Sequence, residues 1–173
     1  MSARTLIFTG EGKGKTTAAF GMVLRAAGHR QRVLVVQFLK SNAATGELRA
    51  CAYLPNVEVV QIGCGFVPAP EHPAFAAHQS KAGEALAFAR RAVANGNYDL
   101  IVLDEICGAI ARELVDEESV IALLSMPERK ACLVLTGRHA SKMLMDHADT
   151  VTEMKCVCHG YTRGIAAQEG VEF

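Results

Sequence analysis

The sequence predicts an α/β protein: a single domain with a mostly parallel sheet and helices on both faces. Three observations predict it. Short apolar runs recur along the chain and are continuous rather than alternating, which is the pattern of strands covered on both faces. Segments with apolar residues at helical spacing separate them, as the crossovers of a parallel sheet require. The length of 173 residues suits one domain, and with half the residues hydrophobic and 21% charged the chain can bury a core and is too apolar for disorder.

Residues 6–8 form the first apolar run, which ends at a glycine-rich loop. Residues 15–27 follow as a helix with Ala19, Met22, Val23 and Ala26 on one face, and Gly28 stops it. Residues 32–38 contain Val33-Leu34-Val35-Val36, a second strand. The polar stretch 40–56 has room for one short helix over 47–53, and 57–62 is a third strand. Residues 63–73 hold two glycines and three prolines and read as an irregular loop. Residues 75–94 form a long helix with Ala82, Leu86, Ala89 and Val93 on one face, closed by Asn95-Gly96. Residues 100–103 are a fourth strand. Asp116 caps the next helix, Glu117 and Glu118 suit its N-terminus, and it runs to residue 125 with Pro127 beyond. Residues 131–135 are a fifth strand. Ser141 caps a short helix ending near 148, in which Met143 and Met145 face the core. Residues 151–157 are a sixth strand, with Cys156 and Cys158 expected as buried thiols rather than metal ligands, because Cys-x-Cys alone supplies too few donors for zinc. The tail from 160 shows no period.

Composition narrows the function. Eighteen basic and eighteen acidic residues give a net charge of zero, which excludes an overall basic nucleic-acid surface. No apolar run is long enough for a bilayer, so no membrane association is expected. No export signal is visible, and six cysteines then read as reduced thiols, so the expected location is cytoplasmic.

Thr9-Gly10-Glu11-Gly12-Lys13-Gly14-Lys15-Thr16-Thr17 follows a strand and opens a helix. That context makes it a phosphate-binding P-loop, and the fold a P-loop NTPase-like domain. Glycines let successive N–H groups of Gly10, Glu11, Gly12, Lys13 and Gly14 face a polyphosphate, and the helix N-terminus adds partial positive charge. Lys15 reaches the outer phosphates and Thr16 ligates Mg²⁺ or Mn²⁺. The first glycine of the strict pattern falls on Thr9, so the loop is a variant. The fourth strand ends in Asp104-Glu105, which places a carboxylate at the sheet edge where α/β proteins collect ligands. Asp104 suits the metal shell, and Glu105 a water, the metal or a ribose hydroxyl. These residues leave open which bond of a nucleotide is broken. Adenosyl transfer, an ordinary kinase or ATPase, and a non-catalytic carrier all use such a site.

Further segments go beyond a generic P-loop. Residues 10–21, Arg25-Ala26-Ala27-Gly28, Val35-Val36-Gln37-Phe38-Leu39-Lys40, Gly63-Cys64-Gly65-Phe66, Leu103-Asp104-Glu105, Thr136-Gly137-Arg138, and residues 148–154, 164–168 and 170–173 resemble, in order, the P-loop corrinoid adenosyltransferases. The resemblance implies transfer of the adenosyl group of ATP to the Co(I) centre of a reduced corrinoid, with triphosphate released. It implies a homodimer and a flavoprotein as reductant. It also implies a phosphate contact for Arg25, positioning of ATP by Gln37 and Glu105, and a phosphate or corrin-amide contact for Arg138. Gly65 and Phe66 would lie against the corrinoid. The family's tryptophan two residues after that aromatic falls on Pro68, and the chain contains no Trp.

Overall fold

The computed structural model describes residues 3–42 and 45–172; Met1, Ser2, Ala43, Ala44 and Phe173 lie outside the described residues. The elements run β1 Thr5–Thr9, α1 Lys15–Gly28, β2 Val33–Gln37, α2 Gly46–Cys51, β3 Val57–Gln61, α3 Phe75–Asn95, β4 Leu100–Asp104, α4 Ile106–Ala111, α5 Glu117–Leu124, β5 Cys132–Thr136, α6 Lys142–Asp146 and β6 Thr150–Glu153, with a 3₁₀ turn at Gly160–Arg163. The strands form one sheet in the order β3-β2-β4-β5-β1-β6, and every neighbouring pair is parallel.

The strand runs are continuous because both faces are covered. Val33 and Val35 of β2 and Leu100 and Val102 of β4 pack with Ala19, Val23 and Ala26 of α1. Their neighbours Leu34, Val36, Ile101 and Leu103 point the other way, into a cluster with Ala82, Ala85 and Ala89 of α3 and Val120 and Leu123 of α5. Period-two alternation along each strand therefore feeds two apolar layers, one per face. Asp116 caps α5 by accepting from the Ser119 N–H at 2.8 Å, and Ser141 caps α6 through the Leu144 N–H. Gly96 closes α3 in the left-handed conformation, φ 63°.

Four features differ from the sequence reading. Helix α4 was not anticipated: it is one short apolar piece, six residues long, with no periodic face to mark it. Strand β6 ends at Glu153 rather than 157, because the chain turns there to cross the glycine loop. Cys156 and Cys158 consequently lie exposed in a loop rather than buried in a strand, and among the described residues they join no cluster that holds a metal. Helix α6 stops at Asp146, and with so short a helix Leu144 takes the buried position; Met145 packs at the edge of the core and Met143 is exposed.

Parallel register matters most at the carboxyl edge. Gln37 lies opposite Asp104 across β2 and β4, and Leu103 lies opposite Leu135, so Thr136 continues β5 beside Asp104. Helix α1 packs against β1, β2, β4 and β5, and Thr16 in its first turn reaches Asp104 at that edge.

Candidate functional site

The glycine loop is shaped by a very close neighbour. Gly12 donates its N–H to the Met154 carbonyl at 2.6 Å. A Cβ on Gly10 would stand 2.6 Å from the Met154 carbonyl oxygen and one on Gly12 2.7 Å from it, both far inside van der Waals contact with backbone. Gly10 also has φ +93°, which an L side chain rarely adopts. Both glycines are thus required by the strand exit they rest on. Lys15 folds over the loop and donates to the Gly10 and Gly12 carbonyls at 2.6 and 2.7 Å. Burial lowers its pKa, while Glu105 and Glu11 act in the opposite sense.

Asp104 is the centre of the edge, with its side chain fully buried. Its Oδ1 accepts from Thr16 Oγ1 at 2.8 Å and from Thr136 Oγ1 at 2.8 Å. Its Oδ2 accepts from Gln37 Nε2 at 2.9 Å and pairs with Lys40 Nζ at 3.2 Å. Gln61 Nε2 in turn donates to Gln37 Oε1 at 2.7 Å. This relay across three strands saturates a buried carboxylate, as its burial demands. Thr136 Oγ1 also accepts the Glu105 N–H at 2.9 Å. Glu105 stands at φ 65°, a left-handed conformation that costs a non-glycine residue about 1 kcal/mol. Glu105 borders both of the cavities at this edge. Burial, and then the Asp104 charge, raise its pKa, partly opposed by Lys40, Lys15 and Arg138.

Two cavities meet at Glu105. One, of ≈ 170 Å³, is lined by residues 11–17, Glu105 and Arg138. The other, of ≈ 360 Å³, is lined by Leu39, Lys40, Ser41, Asn42, Thr45, Gly65 and Glu105 and is mostly apolar. The first presents cations and the remaining loop N–H groups to an anion; the Gly12 N–H, expected to face a polyphosphate, is instead taken by the Met154 carbonyl. The second presents a larger, drier wall beside it. Thr16 and Asp104, in contact and both oxygen donors, fit a hard divalent cation held by a carboxylate, a hydroxyl and substrate phosphates.

Most residues singled out in the sequence converge here: Gly10, Glu11, Gly12, Lys13, Gly14, Lys15, Thr16, Asp104, Glu105 and Arg138 share the edge, and Gly65 lies on the second cavity. Arg138 pairs with Glu11 at 3.3 Å, and Lys13 with Glu172 of the tail at 3.1 Å. Phe66, 93% exposed, stands beside the second cavity's Gly65 in sequence. Two do not converge. Arg25 sits exposed in the last turn of α1; ten residues of helix separate it from Lys15, about 15 Å along the axis. Gln37 is buried behind Asp104 and lines neither cavity, because a strand covered on both faces turns it inward. Sequence reasoning missed the supports Lys40, Thr136, Gln61 and Met154. Thr136 is the last residue of the strand that flanks Asp104 on one side, and Lys40 lies three residues beyond the end of the strand on the other, which is the signal that finds them.

A parallel sheet, a glycine loop opening a helix, and a strand-end Asp on the loop's threonine define a P-loop α/β protein. A solved structure of the flagellar accessory protein FlaH from Methanocaldococcus jannaschii has the same fold, with TM-score 0.56 and 14% identity over 87% of this chain and 70% of that one. The family described as ATP:corrinoid adenosyltransferase BtuR/CobO/CobP matches residues 2–173, and the chain belongs to that family. Curated relatives agree. The corrinoid adenosyltransferase of Pseudomonas aeruginosa is 38% identical over 97% of this chain and 82% of its own length. Those of Salmonella typhimurium and Escherichia coli K12 are 35% and 33% identical over 97% of this chain and 84% of theirs.

Proposed function

We propose that this protein transfers the 5′-deoxyadenosyl group of ATP to the Co(I) centre of a reduced corrinoid. The observation that carries the reading is the pair of cavities meeting at Glu105, a phosphate loop on one side and a larger apolar recess on the other. One suits triphosphate and the other the acceptor, with the reacting carbon between them. The cobalt–carbon bond forms with the Co(I) electron pair, the bond from C5′ to O5′ breaks, and its pair leaves with triphosphate. No proton moves, so no general base is needed.

The chain's own residues then act on alignment and charge. Loop N–H groups, Lys15, Lys13 and Arg138 meet the departing triphosphate. For Lys15 this means leaving the Gly10 and Gly12 carbonyls, and for Arg138 leaving Glu11. Thr16 and Asp104 would hold Mg²⁺ or Mn²⁺, with Glu105 beside them; such a cation, when bound, neutralises phosphate charge. Glu105, facing both cavities, orients the ribose. Gln37 and Thr136 hold Asp104 in place. Gly65 and Phe66 face the corrinoid. Arg25 lies too far along α1 to reach the phosphates of its own chain's loop, so its proposed phosphate contact needs a second copy of the chain.

We place the enzyme in the cytoplasm as one domain that works as a homodimer, with a reduced flavoprotein supplying electrons. No helix among the described residues is long and apolar enough to cross a membrane. The test is anaerobic incubation with ATP, Mg²⁺ and chemically reduced corrinoid, followed by phosphorus NMR. Tripolyphosphate in step with adenosylated corrinoid supports the reading. ADP or orthophosphate without adenosylated corrinoid would make it an ordinary kinase or ATPase.

A further inference from the structure

Lys40 belongs to the wall of the apolar cavity, yet its charge reaches the phosphate side: its Nζ lies 3.2 Å from Asp104 Oδ2. The Asp104 side chain is 0% exposed and that of Lys40 33%. Among the described residues Lys40 is the ion-pair partner of this carboxylate, since Lys15 is engaged by the carbonyls of its own loop. A fully buried carboxylate without a counter-charge is strongly unfavourable. Lys40 supplies that charge.

The four groups on Asp104 are not equally fixed. Thr16 is held by the start of α1, Thr136 is fully buried, and Gln37 is buried and tied to Gln61. Thr16 is partly exposed too, but on a short side chain anchored in α1; Lys40 has a long stem outside any helix or strand, which borders a cavity into which it can swing. A divalent cation approaching Asp104 meets the ammonium as a like charge within a few ångströms. It also finds both carboxylate oxygens already in use. We propose that Lys40 is a built-in counter-ion of Asp104, exchanged for the divalent cation and displaced into the second cavity when the metal arrives. The exchange is a threshold. Metal alone must compete with Lys40, whereas metal carried by phosphates brings extra ligands and the loop's binding energy. Lys40 is then a positioning residue that keeps Asp104 paired and oriented without holding free metal.

This inference rests on the Thr16–Asp104 metal site proposed above. It is tested with the full chain and Mn²⁺ without nucleotide, by loss of the free Mn²⁺ electron-spin-resonance signal. Lys40→Met is expected to tighten Mn²⁺ binding about fivefold, the worth of one partly screened ion pair. Lys40→Arg should bind as wild type does. Adding Asp104→Asn to Lys40→Met should remove the gain. Should Lys40→Met fail to fold by circular dichroism, Lys40→Gln carries the same expectation. Unchanged, weaker or undetectable Mn²⁺ binding in the neutral variant overturns the proposal, as does a gain that survives Asp104→Asn. Adenosyl transfer by the wild type, assayed separately, tells failure of the counter-ion idea from failure of the functional reading.

Discussion

Thr136→Val isolates one hydroxyl at the centre of the site. The side chain is fully buried, and valine keeps its volume, so what is lost is the polar contacts. The hydroxyl donates to Asp104 Oδ1 at 2.8 Å and accepts the Glu105 N–H at 2.9 Å. A hydrogen bond to a buried charged group contributes about 2 kcal/mol. Leaving the Glu105 N–H without that acceptor costs about 1 kcal/mol more. The variant should therefore be less stable by about 3 kcal/mol in urea denaturation. Glu105 also loses the bond that holds its left-handed turn, so adenosyl transfer should fall about tenfold or more, the usual cost of losing a supporting contact behind a metal ligand. Thr136→Ser keeps both bonds and should stay near wild type in activity. Thr136→Val within about 0.5 kcal/mol of wild type, the range of inconsequential surface changes, and with full activity would refute the reasoning.

Three further outcomes follow from the same geometry. Lys15→Ala should fold normally and lose about a hundredfold in turnover, since it removes a cation that meets developing negative charge; turnover near normal with ATP still raising the melting temperature would contradict this. Glu105→Gln bears on pH. Burial raises the Glu105 pKa in the folded state, so between its unfolded and folded values the native protein binds more protons and stability falls as pH rises. Glu105→Gln should thus melt higher than wild type at neutral pH, with the gain fading below the ordinary carboxylate range; no pH-dependent difference in melting temperature would count against it. Phe66→Ala should depress an assay coupled to Co(II) reduction more than one with pre-formed Co(I), because an apolar wall that keeps axial donors off cobalt eases its reduction; equal effects would take that role from Phe66.

The parts of this fold written in local sequence were legible. Val33 to Val36 reads as a buried strand, Asp116 as a cap, and the loop before Lys15 as an anion site, because each signal lies within a few neighbouring residues. The supports of the site are not local. Thr136 meets Asp104 across 32 positions, and Gly12 meets Met154 across the length of the chain. Only strand order and register bring these pairs together, and neither is written in any one motif. Helix α4 escaped notice because it starts from a left-handed Glu105 and shows no amphipathic period. Cys156 and Cys158 were misjudged because β6 stops where Met154 turns to the glycine loop, a tertiary demand that apolar content alone does not reveal.

The central claim is that the carbon at the 5′ position of ATP, not a phosphorus, is the reacting atom. ATP carrying ¹³C at that carbon, supplied with pre-reduced corrinoid and Mg²⁺ under anaerobic conditions, tests it directly. The account predicts ¹³C in the carbon bonded to cobalt, with one tripolyphosphate released per adenosyl group transferred and none without corrinoid. ATP cleaved to ADP or orthophosphate, with the label still in the nucleotide and the corrinoid unalkylated, would contradict it.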